Sequence, residues 1–490
     1  MHFWREQKRG SNAFLHNYRP DYFKEAKAAG IQYLRYGPDL LPSDSKDFLI
    51  GDLDNFTHIN QKDLATLRSI LDDAYNNGIG IVLTMFELPG HRYGNPREVE
   101  TDCRLWQDEQ FWFQSFEFWK QLAEALKDHP AIVAYNPINE PVAAYAYGFE
   151  DPGRRFTRWL DNTRGTTADL NLFNKLMVTS IREADKLTPI MLDGYFWADP
   201  KGLPYMEAIE DPNILYAFHN PAPWIFSSLE GNKGKYSYPA AMPKYWNGPA
   251  VPWTLNDLET FLDPVVLFME KNRIQDYQIV ASEFWCNRRI HGCAEYFNDL
   301  ISLYNKNNWH WGFWQFRADG SYTGLDYELG DAPDSGLYIV KSHKKGIDPD
   351  KLKSRSPNPV WNVLSAALKE EEITDAADTR TLPVPALEEE INRLITALHN
   401  EEWIVQDAAA LDLAEMGSKA YGAVPHLLVL LEHEEWIVRR SSIYALSKIG
   451  ALQDRMIRNA IRKLKKDPEE HVRIEANLAL GLLRIDKRAQ

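Results

Sequence analysis

The sequence predicts an α/β fold: a (β/α)8 barrel of the TIM type followed by a small all-α solenoid. Two observations carry this prediction. Short β-rich runs alternate with longer amphipathic segments from residue 8 to about residue 370, and a motif then recurs in the rest of the chain. Alternating β and α segments are typical of parallel strands covered by helices, and a fixed repeat period is typical of stacked helical hairpins. We therefore divide the chain into a barrel over 1–370, a linker over 371–386 and a repeat domain over 387–490.

Eight runs of β-forming residues qualify as barrel strands. They are Ser11–Leu15, Gln32–Tyr36, Gly80–Phe86, Ile132–Asn136, Ile190–Asp193, Ile214–Phe218, Gln278–Ser282 and His310–Gln315. Helix-like segments such as Gln61–Asn76 and Leu255–Lys271 lie between them, with apolar residues at helical spacing. Eight β runs, each followed by a helix, favour a closed barrel over an open doubly wound sheet.

Three connections are much longer than a simple loop between strand and helix. They cover 142–167, 221–253 and 317–357, after the fourth, sixth and eighth predicted strands. Gly, Pro, Asn and aromatic residues in these insertions are typical of structured functional loops.

The C-terminal region repeats itself. EEWIV begins at Glu401 and again at Glu434, and the related EEHVR begins at Glu469, which gives a period of about 33 residues. Each unit contains two amphipathic helices, for example 423–431 and 436–449. The Trp-x-x-Leu-Gly and Thr-Pro-Leu-His signatures of TPR and ankyrin repeats are absent, and the array resembles short HEAT repeats of the phycobilisome-lyase type.

Two roles stay open for these repeats. Such arrays commonly offer an extended surface to proteins, so one role is to bind a protein partner. The other is to stabilise the barrel. We expect catalysis not to need the repeats, because every candidate catalytic residue precedes them.

Composition restricts the class of function. With 490 residues, 44% of them hydrophobic, and a net charge of -15, the chain is typical of a soluble globular protein rather than a disordered or collagen-like one. An acidic chain without basic runs gains little from releasing counterions, so we expect neither nucleic acid nor a membrane as a partner. The three cysteines lack Cys-x-x-Cys spacing, and HExxH, Walker and GxGxxG motifs are absent. We therefore expect no metal and no cofactor.

The N-terminal segment MHFWREQKRGSN lacks the apolar h-region of a secretory signal. We therefore expect a cytoplasmic protein if this N-terminus is native, and a secreted one if a signal peptide has been removed.

Two glutamates stand where buried strands end. AIVAYNPINEP places Asn139 and Glu140 just past the fourth run, and YQIVASEFWC places Glu283 at the end of the seventh. Catalytic groups of (β/α)8 barrels lie at these strand ends, and a charged carboxylate there is costly unless it is paired or functional. Two carboxylates facing one cleft are what glycoside hydrolysis requires. Taken singly, each glutamate could instead be a capping or ion-paired group.

NPINEP together with SEFW resembles glycoside hydrolase family 5, the retaining, cellulase-like barrels of clan A, over roughly residues 8–370. The resemblance implies that Glu140 is the general acid/base and Glu283 the nucleophile. It also implies that Asn139 donates a hydrogen bond to the sugar 2-hydroxyl. The implied function is a retaining β-glycoside hydrolase that cleaves β-linked glucan, mannan or related glycans by double displacement.

The same resemblance extends to substrate-binding positions. Arg35 matches the arginine that keeps the nucleophile ionised, His219 matches a histidine on the sixth strand, and Trp314 matches the tryptophan under the -1 sugar. Other tryptophans just past strand ends either stack on sugars or pack the loops. These additional candidates are Trp197, Trp224 and Trp285.

Two positions depart from the family pattern. MFELPG has Phe86 where the family usually has a histidine, and the residue two places after His219 is Pro221, where the family has a tyrosine that bonds the nucleophile. His91, Tyr195 or Tyr216 are candidates to replace the missing groups. Both carboxylates remain, so we expect activity. The alternative is a catalytically weak, glycan-binding barrel with a HEAT module for protein interaction.

Overall fold

The computed structural model describes most of the chain. The described residues are 1–15, 18–19, 21–92, 101–232, 234–243, 250–317, 324–329, 358–369, 384–400, 403–469, 471–473, 475–477 and 479–480. Much of the insertion predicted over 317–357 and most of the linker predicted over 371–386 lie outside these residues.

Eight parallel strands close into a barrel, in the order β1-β10-β9-β6-β5-β4-β3-β2. The barrel strands are β1 Arg9–Phe14, β2 Tyr33–Gly37, β3 Gly80–Thr84, β4 Ile132–Asn136, β5 Ile190–Asp193, β6 Ile214–Asn220, β9 Ile279–Phe284 and β10 His310–Phe313. The predicted (β/α)8 fold is confirmed. The third and eighth strands end two residues earlier than predicted, at Thr84 and Phe313.

An antiparallel hairpin lies in the insertion after β6. Its strands are β7, Ala240–Pro243, and β8, Ala250–Trp253. The sequence analysis predicted a structured loop here but no strands, because both are short and each contains a proline.

Helices cover the outside of the barrel. They are α1 Tyr22–Ala28, α2 Gln61–Asn76, α3 Glu109–Leu126, α4 Arg154–Thr163, α5 Leu170–Ala184, α6 Trp224–Ser227, α7 Leu229–Asn232, α8 Leu255–Phe261, α9 Asp263–Asn272, α10 Cys293–Lys306 and α11 Pro359–Lys369. The helix predicted over Leu255–Lys271 is two helices. Proline lacks the N–H that a continuous helix needs, so Pro264 lies in the first turn of the second helix and the break falls at Leu262.

The C-terminal helices are α12 Val384–Ala397, α13 Trp403–Glu415, α14 Val424–Leu430, α15 Trp436–Lys448 and α16 Arg455–Lys463. They pack a hydrophobic cluster of their own, which includes Leu413, Leu427 and Leu446. Helix α12 begins within the last residues of the predicted linker. None of the helices in the described ranges is both long and apolar enough to cross a membrane.

The barrel interior has an apolar end and a polar end. At the N-terminal end of the strands, Tyr33, Met191 and Val280 form a separate apolar cluster with Trp4. Trp4 belongs to the short 3-10 helix His2–Arg5, and its Nε1 donates a hydrogen bond to the Val133 carbonyl at 2.9 Å. We call this end the floor. The opposite end, where the strands finish, is the mouth.

Candidate functional site

The two predicted glutamates meet at the mouth. Glu140 follows β4 and Glu283 lies on β9, and both are buried. One carboxylate oxygen of each lies within 4.8 Å of the other. Glu140 has a φ of 45°, in the left-handed region that costs a non-glycine residue about 1 kcal/mol or more. The backbone N–H of Glu140 donates to Asp193 Oδ2 at 3.0 Å, which holds this turn in place.

Arg35 is the centre of the hydrogen-bond network. Its Nη1 donates to Glu283 Oε1 at 2.5 Å and its Nη2 donates to Asn139 Oδ1 at 2.6 Å. The same guanidinium group donates from Nε to Asn136 Oδ1 at 2.9 Å and from Nη1 to Asn12 Oδ1 at 3.2 Å. A planar guanidinium with five donors in a rigid fork can orient several side chains at once. Arg35 therefore connects the ends of strands β1, β2, β4 and β9.

Asp193 is a functional candidate that the sequence analysis missed. This buried residue ends β5, and its carboxylate accepts hydrogen bonds from Asn136 and from the Glu140 backbone. It also lies 3.4 Å from Arg35 Nη2 and 3.7 Å from His219 Nε2. The sequence does contain a signal for Asp193, because it stands at the end of a predicted strand, as Glu283 does.

His219 bridges the two glutamates. Its Nδ1 lies 2.7 Å from Glu140 Oε1 and its Nε2 lies 3.5 Å from Glu283 Oε1. Burial alone would lower the pKa of His219. The negative charges of Glu283, Glu140 and Asp193 outweigh burial, and they raise that pKa above its usual value. The imidazole therefore tends to carry a proton between the two carboxylates.

Burial also governs the titration of Glu283. It raises the pKa of Glu283 to about 7, although the charges of His219 and Arg35 favour the ionised form. Glu140, His219 and Glu283 are close enough together to ligate a metal ion. The Arg35 guanidinium contacts Glu283 Oε1, and its positive charge disfavours a second cation beside that carboxylate.

An aromatic wall stands beside Arg35. Phe86 stacks on Phe14 with ring centroids 4.2 Å apart, and Trp314 lies 6.0 Å from Phe86. The Arg35 guanidinium lies 5.6 Å from the centroid of the Phe86 ring. A side chain at Gly37 would collide with this wall, because an added Cβ would approach Phe86 to 2.7 Å. At the position of the family's histidine, the site therefore has an apolar surface.

The other candidate tryptophans follow strands β5, β6 and β9, at the rim of the mouth. Trp197 follows β5 and packs near Tyr145, with ring centroids 5.2 Å apart. Trp224 begins α6 after β6 and is 38% exposed, and Trp285 directly follows β9 and is partly exposed. All three rings thus lie in segments that leave the mouth end of a strand.

The proposed replacements for the missing groups lie elsewhere. Tyr216 is on β6, where Leu215 and Ala217 face the barrel interior, so its ring faces outward; it packs 4.9 Å from Phe268. Its hydroxyl accepts a hydrogen bond from the Ile209 N–H.

Tyr195 and His91 have contacts of their own within the barrel domain. The ring of Tyr195 packs against Phe156 in the layer between barrel and helices. The Nδ1 of His91 contacts the Asp102 carbonyl at 3.2 Å. Tyr216, whose ring faces outward, therefore does not replace the missing tyrosine. For Tyr195 and His91 the replacement stays a prediction.

Comparison with known protein families gives two matches. The family described as Cellulase (glycosyl hydrolase family 5) matches residues 7–320, and the HEAT repeats family matches residues 391–481. These ranges coincide with the barrel that carries the glutamate cluster and with the helical repeats.

Individual relatives are distant. A β-xylosidase of Phanerodontia chrysosporium is 21% identical over 81% of this chain and 79% of its own length. An endoglucanase of Paenibacillus polymyxa is 22% identical over 62% of this chain and 70% of its own length. The solved structure of endoglucanase Cel5A from Thermotoga maritima aligns with a TM-score of 0.51 at 16% identity, covering 73% of this chain and 96% of that one. At this identity the structural likeness concerns the fold.

Proposed function

Because this chain belongs to glycosyl hydrolase family 5, we propose that it is a retaining β-glycoside hydrolase acting on β-linked glucan, mannan or related glycans. The observation that carries this proposal is the pair Glu140 and Glu283, whose nearest oxygens lie within 4.8 Å. Retaining enzymes hold their carboxyl groups about 5–5.5 Å apart, whereas inverting enzymes need roughly 6.5–9.5 Å to admit a water molecule.

In the first step, a carboxylate oxygen of Glu283 forms a bond to the anomeric carbon. The bond between that carbon and the leaving oxygen breaks, and the proton of Glu140 passes to the leaving oxygen. The guanidinium of Arg35 donates to Glu283 Oε1 and favours the ionised nucleophile against the cost of burial.

In the second step, water attacks the same carbon and the bond to Glu283 breaks. The Glu140 carboxylate accepts the proton of that water, so the configuration at the anomeric carbon is retained. The bridging position of His219 supports this exchange of roles. Its Nδ1 lies 2.7 Å from Glu140 Oε1 and its Nε2 lies 3.5 Å from Glu283 Oε1.

Substrate binding would use the residues around this pair. Arg35 engages Asn139 Oδ1, so the amide NH2 of Asn139 is the part that can donate to a sugar hydroxyl. Trp314 would lie under the reacting sugar, and Trp197, Trp224 and Trp285 would stack on further sugar units along the rim. The names of the relatives, β-xylosidase and endoglucanase, support a β-linked glycan as the substrate class.

A glycan-binding barrel with weak catalysis is the second candidate. Phe86 favours it, because an apolar ring beside Arg35 replaces a hydrogen-bonding imidazole. Tyr216 favours it too, because its hydroxyl is bonded on the outer face and is not available to the nucleophile.

One assay separates these candidates. The full chain is incubated with aryl β-glucosides, β-mannosides and β-xylosides and with β-linked oligosaccharides, and the anomer first released is identified by NMR. We expect hydrolysis with release of the β-anomer. Release of the α-anomer would overturn the retaining mechanism, and affinity without hydrolysis would favour the binding barrel.

A further inference from the structure

Equivalent positions of three consecutive repeats carry charges of alternating sign. Asp407, Arg440 and Glu475 each stand six residues after the first glutamate of their repeat motif, in EEWIV, EEWIV and EEHVR. Helices stacked in a solenoid bring equivalent positions next to each other. Accordingly, Arg440 Nε lies 3.5 Å from Glu475 Oε2, with both side chains largely buried. We call these three residues the charge ladder.

Arg440 forms an ion pair with Glu475, and its charge also acts on Asp407. Burial raises the pKa of Asp407 to about 6. A hydrogen bond with the Ser441 side chain acts against that rise, and so do the charges of Arg440 and of Arg289 in the barrel. Burial likewise raises the pKa of Glu475, which Arg440 opposes. The ion pair with Glu475 and the attraction of the Asp407 charge favour one orientation of the Arg440 guanidinium.

Arg440 also reaches out of the repeat domain. Its Nη2 donates a hydrogen bond to the Lys235 carbonyl of the barrel at 2.8 Å. Gly234 packs closely at the same place, because an added Cβ would lie 3.3 Å from Arg440 Nη1 and 3.7 Å from Ile437 Cγ2. One turn further along α15, Tyr444 lies 6.3 Å from the ring of His291. One face of α15 therefore rests on the barrel.

The barrel segments under α15 belong to the rim of the mouth. Lys235 lies in the insertion after β6, which also carries Trp224, and His291 lies in the segment after β9, which carries Trp285.

These two segments are also joined to each other. The Asn287 N–H donates to the Ser227 carbonyl at 2.8 Å and the Tyr238 N–H donates to the His291 carbonyl at 3.3 Å. Gly292 permits the close approach, since a Cβ there would lie 2.0 Å from the Tyr238 carbonyl oxygen. Because the two segments are joined, contact with α15 restrains both of them.

We propose that the repeat domain acts within its own chain as a positioning module, in which the charge ladder directs Arg440 onto the rim and fixes the segments that carry Trp224 and Trp285. Arg440 is a positioning residue, since it contacts neither Glu140 nor Glu283 in the described structure. Its consequence for sugar binding rests on the proposed function. A protein partner of the repeats stays a prediction, and this face of α15 is already occupied by the barrel.

Hydrogen exchange on the full chain tests the contact without any substrate. We expect Arg440→Met to accelerate amide exchange in 224–232 and 285–292 at least threefold. Arg439→Met is the matched control, because Arg439 pairs with Asp467 inside the repeats at 2.8 Å and should leave those segments unchanged. Equal acceleration by both variants, or by neither, would overturn the proposal.

A second variant removes the ladder without leaving a buried charge unpaired. Combining Asp407→Leu, Arg440→Met and Glu475→Leu replaces the ladder with apolar side chains, an exchange that folded proteins often tolerate. We expect this variant to keep the repeats folded by circular dichroism and still to accelerate exchange in the rim segments. Folded repeats with unchanged rim exchange would overturn the proposal.

Kinetics then test the consequence for sugar binding. We expect Arg440→Met to raise KM for β-linked oligosaccharides at least threefold with kcat unchanged, to leave small aryl glycosides unaffected, and to be partly rescued by Arg440→Lys. A fall in kcat on every substrate would contradict the positioning role. If the parent chain hydrolyses no glycoside, the proposed function fails. The hydrogen-exchange measurements would still show whether Arg440 restrains the rim segments.

Discussion

The floor and the mouth of the barrel are built from the same strands, yet their chemistry changes within two residues. On each of five strands, an apolar or aromatic residue of the floor is followed two positions later by a polar or charged residue of the mouth. The pairs are Tyr33 and Arg35, Val82 and Thr84, Ala134 and Asn136, Met191 and Asp193, and Ala217 and His219.

This difference separates stability from reactivity. The floor removes apolar surface from water, which contributes about 25 cal/mol per Å². The mouth buries Arg35, Glu283 and Asp193, and burying such charges costs free energy that their mutual attraction only partly returns. We therefore expect substitutions at the mouth to act chiefly on turnover, and substitutions at the floor to act chiefly on unfolding.

The largest effect is expected at the nucleophile. Glu283→Gln keeps the volume of the side chain but removes the attacking carboxylate, so kcat/KM should fall roughly 10⁴-fold or more on every substrate. Steady-state assays of the purified variant measure this loss. Retention of a tenth of the activity would remove Glu283 from the nucleophile's role.

Glu140→Ala should give a loss that depends on the leaving group. We expect roughly a 10²- to 10⁴-fold decrease in kcat/KM on unactivated oligosaccharides, because the leaving oxygen is no longer protonated. Aryl glycosides with acidic phenols need little protonation, so their first step should be spared and glycosyl-enzyme should accumulate, visible by intact mass spectrometry. Equal losses on both kinds of substrate would contradict the assignment of Glu140.

At the floor, the expected effect is on stability. Met191 is fully buried in the apolar cluster, so Met191→Ala should lower the free energy of unfolding by about 2–5 kcal/mol. Denaturant unfolding measures this change, and kcat/KM of the folded protein should stay within about threefold of the parent. A kcat/KM as low as that of Glu140→Ala would show that the floor and the mouth are not separable.

The smallest effect concerns the pH profile. Turnover requires the ionised Glu283, whose pKa burial raises to about 7, so kcat/KM should decline as pH falls through about 7. Arg35→Met removes a positive charge that lowers this pKa, so the acidic limb should move to higher pH. Arg35→Lys keeps the charge and should move the limb less. A limb at the same pH in both variants would mean that the arginine charge does not set the ionisation of Glu283.

Sequence reasoning located the barrel and most of the site because strand ends carry a clear signal. The apolar strand before Glu140 ends four residues ahead of that carboxylate, and Glu283 directly follows the seventh predicted strand. Alternation along β6 also predicts the orientation of Tyr216. Tyr216 and His219 are an odd number of residues apart, so their side chains point to opposite faces of the strand and only one can face inward.

The inward orientation of Glu283 could not be read from alternation. Val280 faces the interior, so strict alternation would point Glu283 outward. Pairing with β6 shifts register here: Phe218 pairs with Ala281, but His219 pairs with Glu283, so Ser282 is an extra residue. Such a bulge depends on the neighbouring strand and turns the next side chain to the other face. The contact between α15 and the rim likewise joins residues far apart in the chain, so no local sequence pattern predicts it.

The close fit of Gly37 against Phe86 has an evolutionary consequence. A side chain at position 37 and a phenyl ring at position 86 compete for one space, so substitutions at the two sites are coupled rather than additive. While Phe86 is present, a side chain at position 37 requires the aromatic wall to shift. Phe14 adds a second constraint, because the added Cβ would also lie 2.9 Å from its ring, so a smaller residue at position 86 alone would not free position 37. We therefore expect positions 14, 37 and 86 to vary together.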